Sequence, residues 1–196
     1  MGQPLDDASL DTLFRTARTY NGYTDAPVTE ADVEAIYDLV KMGPTSANMQ
    51  PARFVWVMRR EAKEKLAALA SGTNGEKIRK APASVVIGMD YDFHEQLPWL
   101  FPHADAKSWF SNSDARQEHA FRNSSLQGAY FILAARALGF DTGPMSGFDA
   151  AGVDAAFFPD QPNVKTNFIS TLGHGDPSTI FDRLPRPEFG RFNTIV

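Results

Sequence analysis

The chain has 196 residues, a net charge of −5 and no cysteine. Its length favours one globular domain, and its 43% hydrophobic and 22% charged residues are typical of a water-soluble protein. The lack of cysteine excludes disulfides, thiol nucleophiles and Cys-ligated metals, and the acidic balance argues against nucleic acid as the main partner.

Residues 1–10 are polar and acidic and lack the apolar segment of a signal peptide. No apolar run approaches the roughly 20 residues of a membrane span. We therefore expect a cytoplasmic protein without a membrane partner, with residues 1–196 forming a single domain.

Apolar residues at helical spacing predict helices over residues 8–18 and 30–42. Thr29 is the expected N-cap of the second, and Gly43 its stop. A short charged helix is predicted over 61–70. Two continuous apolar runs, 54–58 and 84–89, predict buried strands.

Residues 90–112 are rich in aromatics but irregular, and they are expected either to pack in the core or to form a lid. A long, central helix is predicted over 114–138 and a short one from Asp149. Residues 167–172 predict another buried strand. The proline-rich tail from about residue 176 is expected to be disordered or to lie across another subunit.

This order of elements predicts an α+β domain. Helices should cover both faces of a central mixed sheet, which gives a three-layer α/β/α sandwich. Helices and strands do not alternate strictly, so a regular doubly wound fold is not expected.

The loop before the first strand is the most informative stretch: Gly43-Pro44-Thr45-Ser46-Ala47-Asn48-Met49-Gln50-Pro51. Its prolines make it stiff, and its hydroxyls and carboxamides make it polar without charge. Such a loop suits hydrogen bonding to a neutral polar ring. An ordinary helix-to-strand connection uses the same residue types, so composition leaves both interpretations open.

Further polar clusters have a functional and an ordinary interpretation. The end of the first helix carries Arg15, Arg18, Thr19 and Asn21, which suit a phosphate or polyol but also a solvated helix end. Asn74 and Lys77, three residues apart, are either part of a binding site or part of a polar loop that leads into a surface helix.

Several signatures are absent from the sequence. There is no Gly-x-Gly-x-x-Gly, no P-loop and no nucleophile elbow. The four histidines lack metal-ligand spacing. We therefore assign no metal site and no catalytic side chain.

Taken in chain order, these segments resemble the nitroreductase family of FMN enzymes. The resemblance also includes Gly143-Pro144-Met145-Ser146-Gly147-Phe148-Asp149 and the basic residue of Arg183-Leu184-Pro185. Within the family, Pro51-Ala52-Arg53-Phe54-Val55 and Leu100-Phe101-Pro102-His103 are similar to the short enzymes that include the malonic semialdehyde reductase of pyrimidine degradation.

The resemblance implies which residues contact FMN. The ring and ribityl contacts would come from Pro44, Thr45, Ser46, Asn48, Gln50, Asn74, Lys77, Met145, Ser146 and Gly147, with a backbone N–H of Ser146 or Gly147 facing flavin N5. The phosphate would be bound by Arg15, Arg18, Thr19, Asn21 and Arg183. Asn21 and Phe181 stand where the family has cations.

The implied activity is ping-pong hydride transfer from NADPH or NADH through FMN to a small acceptor. Reduction of malonic semialdehyde to 3-hydroxypropionate is one candidate, with Arg53 as a guess for its carboxylate. Nitroaromatic, quinone or enone reduction is the alternative, and a flavin-binding protein without turnover is a third. The resemblance also implies a homodimer with FMN at the subunit interface, the 44–50 loop reaching across and the tail embracing the partner.

Overall fold

In the computed structural model, which describes residues 2–196 and leaves Met1 outside, four strands form one sheet. They are β1 (Ala52–Val57), β2 (Ala83–Asp90), β3 (Asp141–Met145) and β4 (Val164–Gly173), in the order β1-β2-β4-β3. β1 and β3 are therefore the two outer strands.

The α+β class is confirmed, but the sheet is antiparallel rather than mixed. All three neighbouring strand pairs are antiparallel, and the one parallel pairing within residues 2–196 is an isolated bridge between Thr19 and Thr142. The prediction of a mixed sheet was wrong because the strands are covered on both faces and are therefore continuously apolar, a sequence pattern typical of parallel sheets.

Residues 2–196 also form eight α-helices: α1 (Asp7–Leu10), α2 (Glu30–Val40), α3 (Arg60–Ala68), α4 (Asn74–Lys80), α5 (Leu97–Leu100), α6 (Ser113–Ala137), α7 (Ala150–Phe157) and α8 (Phe189–Phe192). The first predicted helix is shorter than expected, because α1 passes into a π-helical segment, Asp11–Arg15. Thr29 caps α2 through a reciprocal capping box, as predicted. None of the described helices combines the length and apolarity needed to cross a bilayer.

Two separate cores cover the two faces of the sheet. Val85 and Ile87 of β2 pack with α2 and α6, whereas Val86 packs with α3, α4 and α7 on the other face. Consecutive strand residues point to opposite faces, so one apolar strand supplies both cores. The predicted three-layer sandwich is confirmed.

The segment 90–112 is more regular than expected. It forms a 3-10 turn (Phe93–Gln96), α5, and a second 3-10 turn (Ala106–Phe110). Phe93 and Phe110 are buried in a third apolar cluster with Met49, so the core interpretation holds for them. Trp99 is 70% exposed and is not part of that cluster.

The tail is extended, and its first part is tied to the domain. Thr179 accepts a hydrogen bond from the Asn21 carboxamide (3.1 Å) and one from the Gly22 N–H (3.0 Å). Beyond this anchor the tail exposes large apolar side chains: Phe181, Leu184, Phe189, Phe192, Ile195 and Val196.

Candidate functional site

The loop after α2 has a strained backbone. Ala47, Asn48 and Gln50 have φ values of 47°, 49° and 41°, in the left-handed region that non-glycine residues seldom adopt. Each such residue costs on the order of 1–3 kcal/mol and persists only where its surroundings enforce it. Strain of this kind clusters at functional sites.

Three side chains of α6 hold this strained loop in place. Hydrogen bonds join the Ser46 N–H to Asn123 Oδ1 (2.9 Å), Gln127 Nε2 to Gln50 Oε1 (2.6 Å), and the Tyr130 hydroxyl to the Pro44 carbonyl (2.8 Å). Gln127 also accepts from the N–H of Ala52, the first residue of β1 (2.8 Å). Asn123 and Gln127 are almost fully buried, so the loop is docked onto α6 through a polar contact inside the domain.

The predicted loop residues differ in which of their polar groups are already hydrogen-bonded and which are exposed. Thr45 Oγ1 accepts from the Gln50 N–H (3.2 Å), and the Asn48 carboxamide donates to the Leu100 carbonyl (2.9 Å). Pro44, Ser46 and Asn48 are exposed. The loop therefore presents its polar surface outward, away from the α6 contact.

Four of the predicted phosphate residues line one cavity of about 480 Å3: Arg18, Thr19, Asn21 and Arg183. Arg18 donates to the Phe181 carbonyl, and Arg183 donates to the Ala17 carbonyl (3.0 Å). These reciprocal bonds close the tail against the segment after α1.

Arg15, which the sequence also assigned to the phosphate, does not line this cavity. Its guanidinium pairs with the carboxylates of Asp7 (2.8 Å) and Asp11 (3.3 Å) on the same helical segment. These two acidic neighbours neutralise its charge.

Arg136 and Arg186 also line the cavity. Within residues 2–196, none of its four arginines forms an ion pair with a carboxylate, although Asp182 lies in the wall. Burial lowers the pKa of Arg136; Asp141 opposes this effect, and the nearby Arg183 charge adds to it. Cations gathered without counter-charges fit an anionic ligand. The sequence-based prediction did not include Arg136. The feature that could have identified it is that Arg136 is the one charged residue in the largely apolar second half of the predicted helix 114–138.

Met145, Ser146 and Gly147 lie at the outer edge of the sheet. The backbone N–H of Tyr20 donates to the Thr142 carbonyl on this edge (3.2 Å). Two residues further on, Pro144 has no N–H with which to continue the pairing. A shallow cavity of about 360 Å3 follows this edge, lined by Ser125, Ala129, Ile132, Pro144, Met145, Ser146 and Phe168. We call it the β3 groove. The N–H groups of Ser146 and Gly147 find no acceptor within residues 2–196.

Asn74 and Lys77 belong to α4, which the sequence did not predict. The Asn74 carboxamide donates to the Gly147 carbonyl (3.1 Å), and the Ser71 N–H donates to the same oxygen (2.9 Å). Lys77 is partly buried and has no ion-pair partner in the described part of the chain. The structure thus brings Asn74 to the end of the β3 groove as a brace for Gly147.

The helix α6 separates the loop from the β3 groove. A helix turns about 100° per residue, so positions two apart point to nearly opposite sides. Asn123, Gln127 and Tyr130 form the stripe that holds the loop. Ser125, Ala129 and Ile132 form the stripe that lines the groove. The loop residues and the groove residues are therefore not brought together within one chain.

A third cavity, of about 620 Å3, lies beside the loop. Its walls come from α2, the loop, β1, α6 and the 96–100 segment: Tyr37, Lys41, Met42, Asn48, Gln50, Ala52, Arg53, Gln96, Trp99, Leu100 and Gln127. Arg53 is not free to bind a carboxylate here. Its guanidinium pairs with Asp90 and donates to the carbonyls of Gln50 (3.1 Å) and Ala52 (3.0 Å).

Comparison with known proteins gives concordant results. The sequence profile described as the Nitroreductase family matches residues 14–166. A protein of Stenotrophomonas maltophilia (strain R551-3), provisionally named NADH dehydrogenase/NAD(P)H nitroreductase, is 58% identical over 190 residues, 96% of each chain.

Two solved structures share the fold. A provisionally assigned nitroreductase of Bacillus subtilis, ydfN, aligns with a TM-score of 0.86 and 23% identity over 97% of this chain and all of its own. One from Exiguobacterium sibiricum, in complex with FMN, aligns with a TM-score of 0.81 and 20% identity over 95% and 96% of the two chains.

We expect Gln127→Met to loosen the loop. Methionine has a similar volume but would leave the Ala52 N–H and the Gln50 carboxamide without their partner. The free energy of unfolding, measured in urea, should fall by about 1–3 kcal/mol, and amide hydrogen exchange in residues 44–51 should accelerate.

The matched control is Gln117→Met, an exposed position on the same helix without a side-chain hydrogen bond in residues 2–196. Equal stability and equal loop exchange in the two variants would show that Gln127 does not hold the loop.

Proposed function

Because this chain belongs to the nitroreductase family, we propose that it is an FMN-dependent oxidoreductase that passes a hydride from NADH or NADPH to a small acceptor by a ping-pong mechanism. The observation that carries the proposal is the cavity of unpaired arginines at one end of the open β3 groove. We also place the enzyme in the cytoplasm, as the sequence predicts.

The groove and the cavity fit the two ends of FMN. The β3 groove is apolar at Ile132, Met145 and Phe168 and has free N–H groups at Ser146 and Gly147, which suits a planar ring with hydrogen-bond acceptors. The arginine cavity suits a phosphate monoester. When bound, FMN supplies the carrier that takes up the hydride and releases it to the acceptor.

The protein's own contribution is positioning and charge. The Gly147 carbonyl is held by Asn74 and Ser71, which anchors the backbone directly after the Ser146 and Gly147 N–H groups. Lys77, three residues from Asn74, would place a positive charge near the same end of the groove and favour negative charge on a bound ring. No side chain is assigned as proton donor, so the proton for a carbonyl acceptor would come from solvent.

We propose that two copies of the chain complete the site. The strained loop faces away from the β3 groove of its own chain, because α6 lies between them. The loop of a partner subunit would then supply Thr45, Ser46 and Asn48 to the ring. The exposed apolar residues of the tail, such as Phe189 and Phe192, would be covered by the same partner.

The third cavity is our candidate for the acceptor site, because Asn48 lies in its wall together with Trp99 and Leu100. As the specific acceptor we propose malonic semialdehyde. With Arg53 occupied, Lys41 is the cation available for its carboxylate, since it is exposed and paired only with the exposed Asp38.

Reduction of nitroarenes, quinones or enones is the second candidate. It is favoured by the aromatic side chains of Tyr37 and Trp99 in the same cavity, which suit a planar acceptor.

The purified protein should be yellow or become so with FMN, and anaerobic NADPH or NADH should bleach its flavin absorbance. Stopped-flow reduction with each nucleotide gives the preferred donor. A protein that stays colourless with added FMN would refute the flavin proposal. Flavin that binds but is reduced by neither nucleotide would instead indicate a binding protein without turnover.

Steady-state assays with malonic semialdehyde, a quinone and a nitroarene should separate the two acceptor classes. If the semialdehyde is the substrate, Lys41→Met should raise its KM about 10-fold, the loss of one charge-assisted hydrogen bond, and leave quinone reduction unchanged. Lys80→Met is the matched control, an exposed lysine outside this cavity. Turnover of aromatic acceptors alone would exclude the semialdehyde assignment.

A further inference from the structure

We infer that Arg136 is a phosphate-binding residue of the flavin site, supplied by α6 rather than by the segments around Arg18 and Arg183. The inference rests on the proposed FMN function and extends it to a residue that the sequence motifs did not include. The ligand group is the phosphate monoester of the flavin's ribityl chain.

The helix places Arg136 in line with the β3 groove. Ser125, Ala129 and Ile132 line the groove at spacings of four and three residues, and Arg136 follows four residues after Ile132. Residues at these spacings share one side of a helix. The stripe therefore begins beside the proposed ring position and ends at Arg136.

The arginine cavity begins where this stripe ends. Arg136 lines it together with Arg18 and Arg183. These three guanidinium groups come from α6, from the segment before the Thr19 bridge and from the tail. A ligand in the groove would therefore meet cations from three separate parts of the chain at one end.

Arg136 is held in place, yet it forms no ion pair in the described part of the chain. One N–H of its guanidinium donates to the Leu13 carbonyl (2.9 Å), and within residues 2–196 it has no carboxylate partner. The nearby Asp141 uses Oδ2 to accept from the Gly175 N–H (2.9 Å). A guanidinium has five N–H donors in a rigid fork, so several remain for phosphate oxygens.

Arg136 would also compensate for two cations that the phosphate site lacks. Asn21 and Phe181 are neutral where the family resemblance led us to expect cations. Asn21 uses its carboxamide on Thr179, and the Phe181 ring is 80% exposed. A cation that enters the same cavity from α6 would restore part of the lost attraction for phosphate.

The test compares FMN with riboflavin, which lacks the phosphate. Dissociation constants for both are measured by quenching of flavin fluorescence in the wild type, Arg136→Met and Arg136→Lys. Arg136→Met should weaken FMN binding about 10- to 100-fold, the range for a lost charge-assisted hydrogen bond, and change riboflavin binding less than about twofold. Arg136→Lys, which keeps the charge but loses the fork, should be intermediate for FMN.

The matched control is Arg122→Met, an exposed arginine of α6 that pairs with Glu118 and lies outside the cavity. Its ratio of FMN to riboflavin affinity should equal that of the wild type. The same ratio is measurable in Arg136→Lys if Arg136→Met does not fold.

Three outcomes are distinguishable. Equal weakening of FMN and riboflavin by Arg136→Met would mean that Arg136 only braces Leu13, and would overturn the inference. Unchanged binding of both would overturn it as well, while FMN binding by the wild type leaves the proposed function standing. A wild type that binds neither flavin would refute the proposed function and this inference together.

Discussion

The site depends on the hydrogen bonds by which α6 holds the strained loop. Asn123 and Gln127 are buried polar residues: Asn123 Oδ1 accepts from the Ser46 N–H, and the Gln127 carboxamide hydrogen-bonds with Gln50 and the Ala52 N–H. Leaving such groups unpaired would cost about 1–3 kcal/mol each, which is comparable with the strain at Ala47, Asn48 and Gln50 and opposes its release. The loop is therefore pre-formed before any ligand binds.

The opposite side of α6 lines the β3 groove and ends at the arginine cavity. This second stripe faces the outer edge of β3, which within residues 2–196 is unpaired beyond the bridge between Thr19 and Thr142, where Pro144 has no N–H. The cavity at its end gathers guanidinium groups without carboxylate partners in the described chain. Backbone strain on one side and unneutralised charge on the other both reduce the stability of the free protein. Both would be offset by a ligand, or a partner subunit, that uses them.

Local sequence patterns predicted part of the fold and part of the candidate site. The helical spacing of apolar residues predicted α2, the long helix predicted over 114–138 matches α6, and the stiff, uncharged composition of 43–51 identified the loop. β3 was missed as a strand because Gly143 and Pro144 disfavour strands, and α4 because Ile78 is its one buried large apolar residue. The pairing of Arg15 with Asp11, four residues earlier, follows a local sequence pattern. The role of Arg136 depends on neighbours distant in sequence, which no local pattern encodes.

The central claim is that the loop and the arginine cavity of one flavin site come from different subunits. The direct test is FMN stoichiometry in a mixed dimer, purified with two tags, of one Asn48→Ala chain and one Arg18→Met chain. The account predicts one FMN per dimer bound with wild-type affinity, because one site receives both substitutions and the other receives neither. Two weakened sites per dimer, one with Asn48→Ala and the other with Arg18→Met, would contradict it, since each chain would then carry its own complete site.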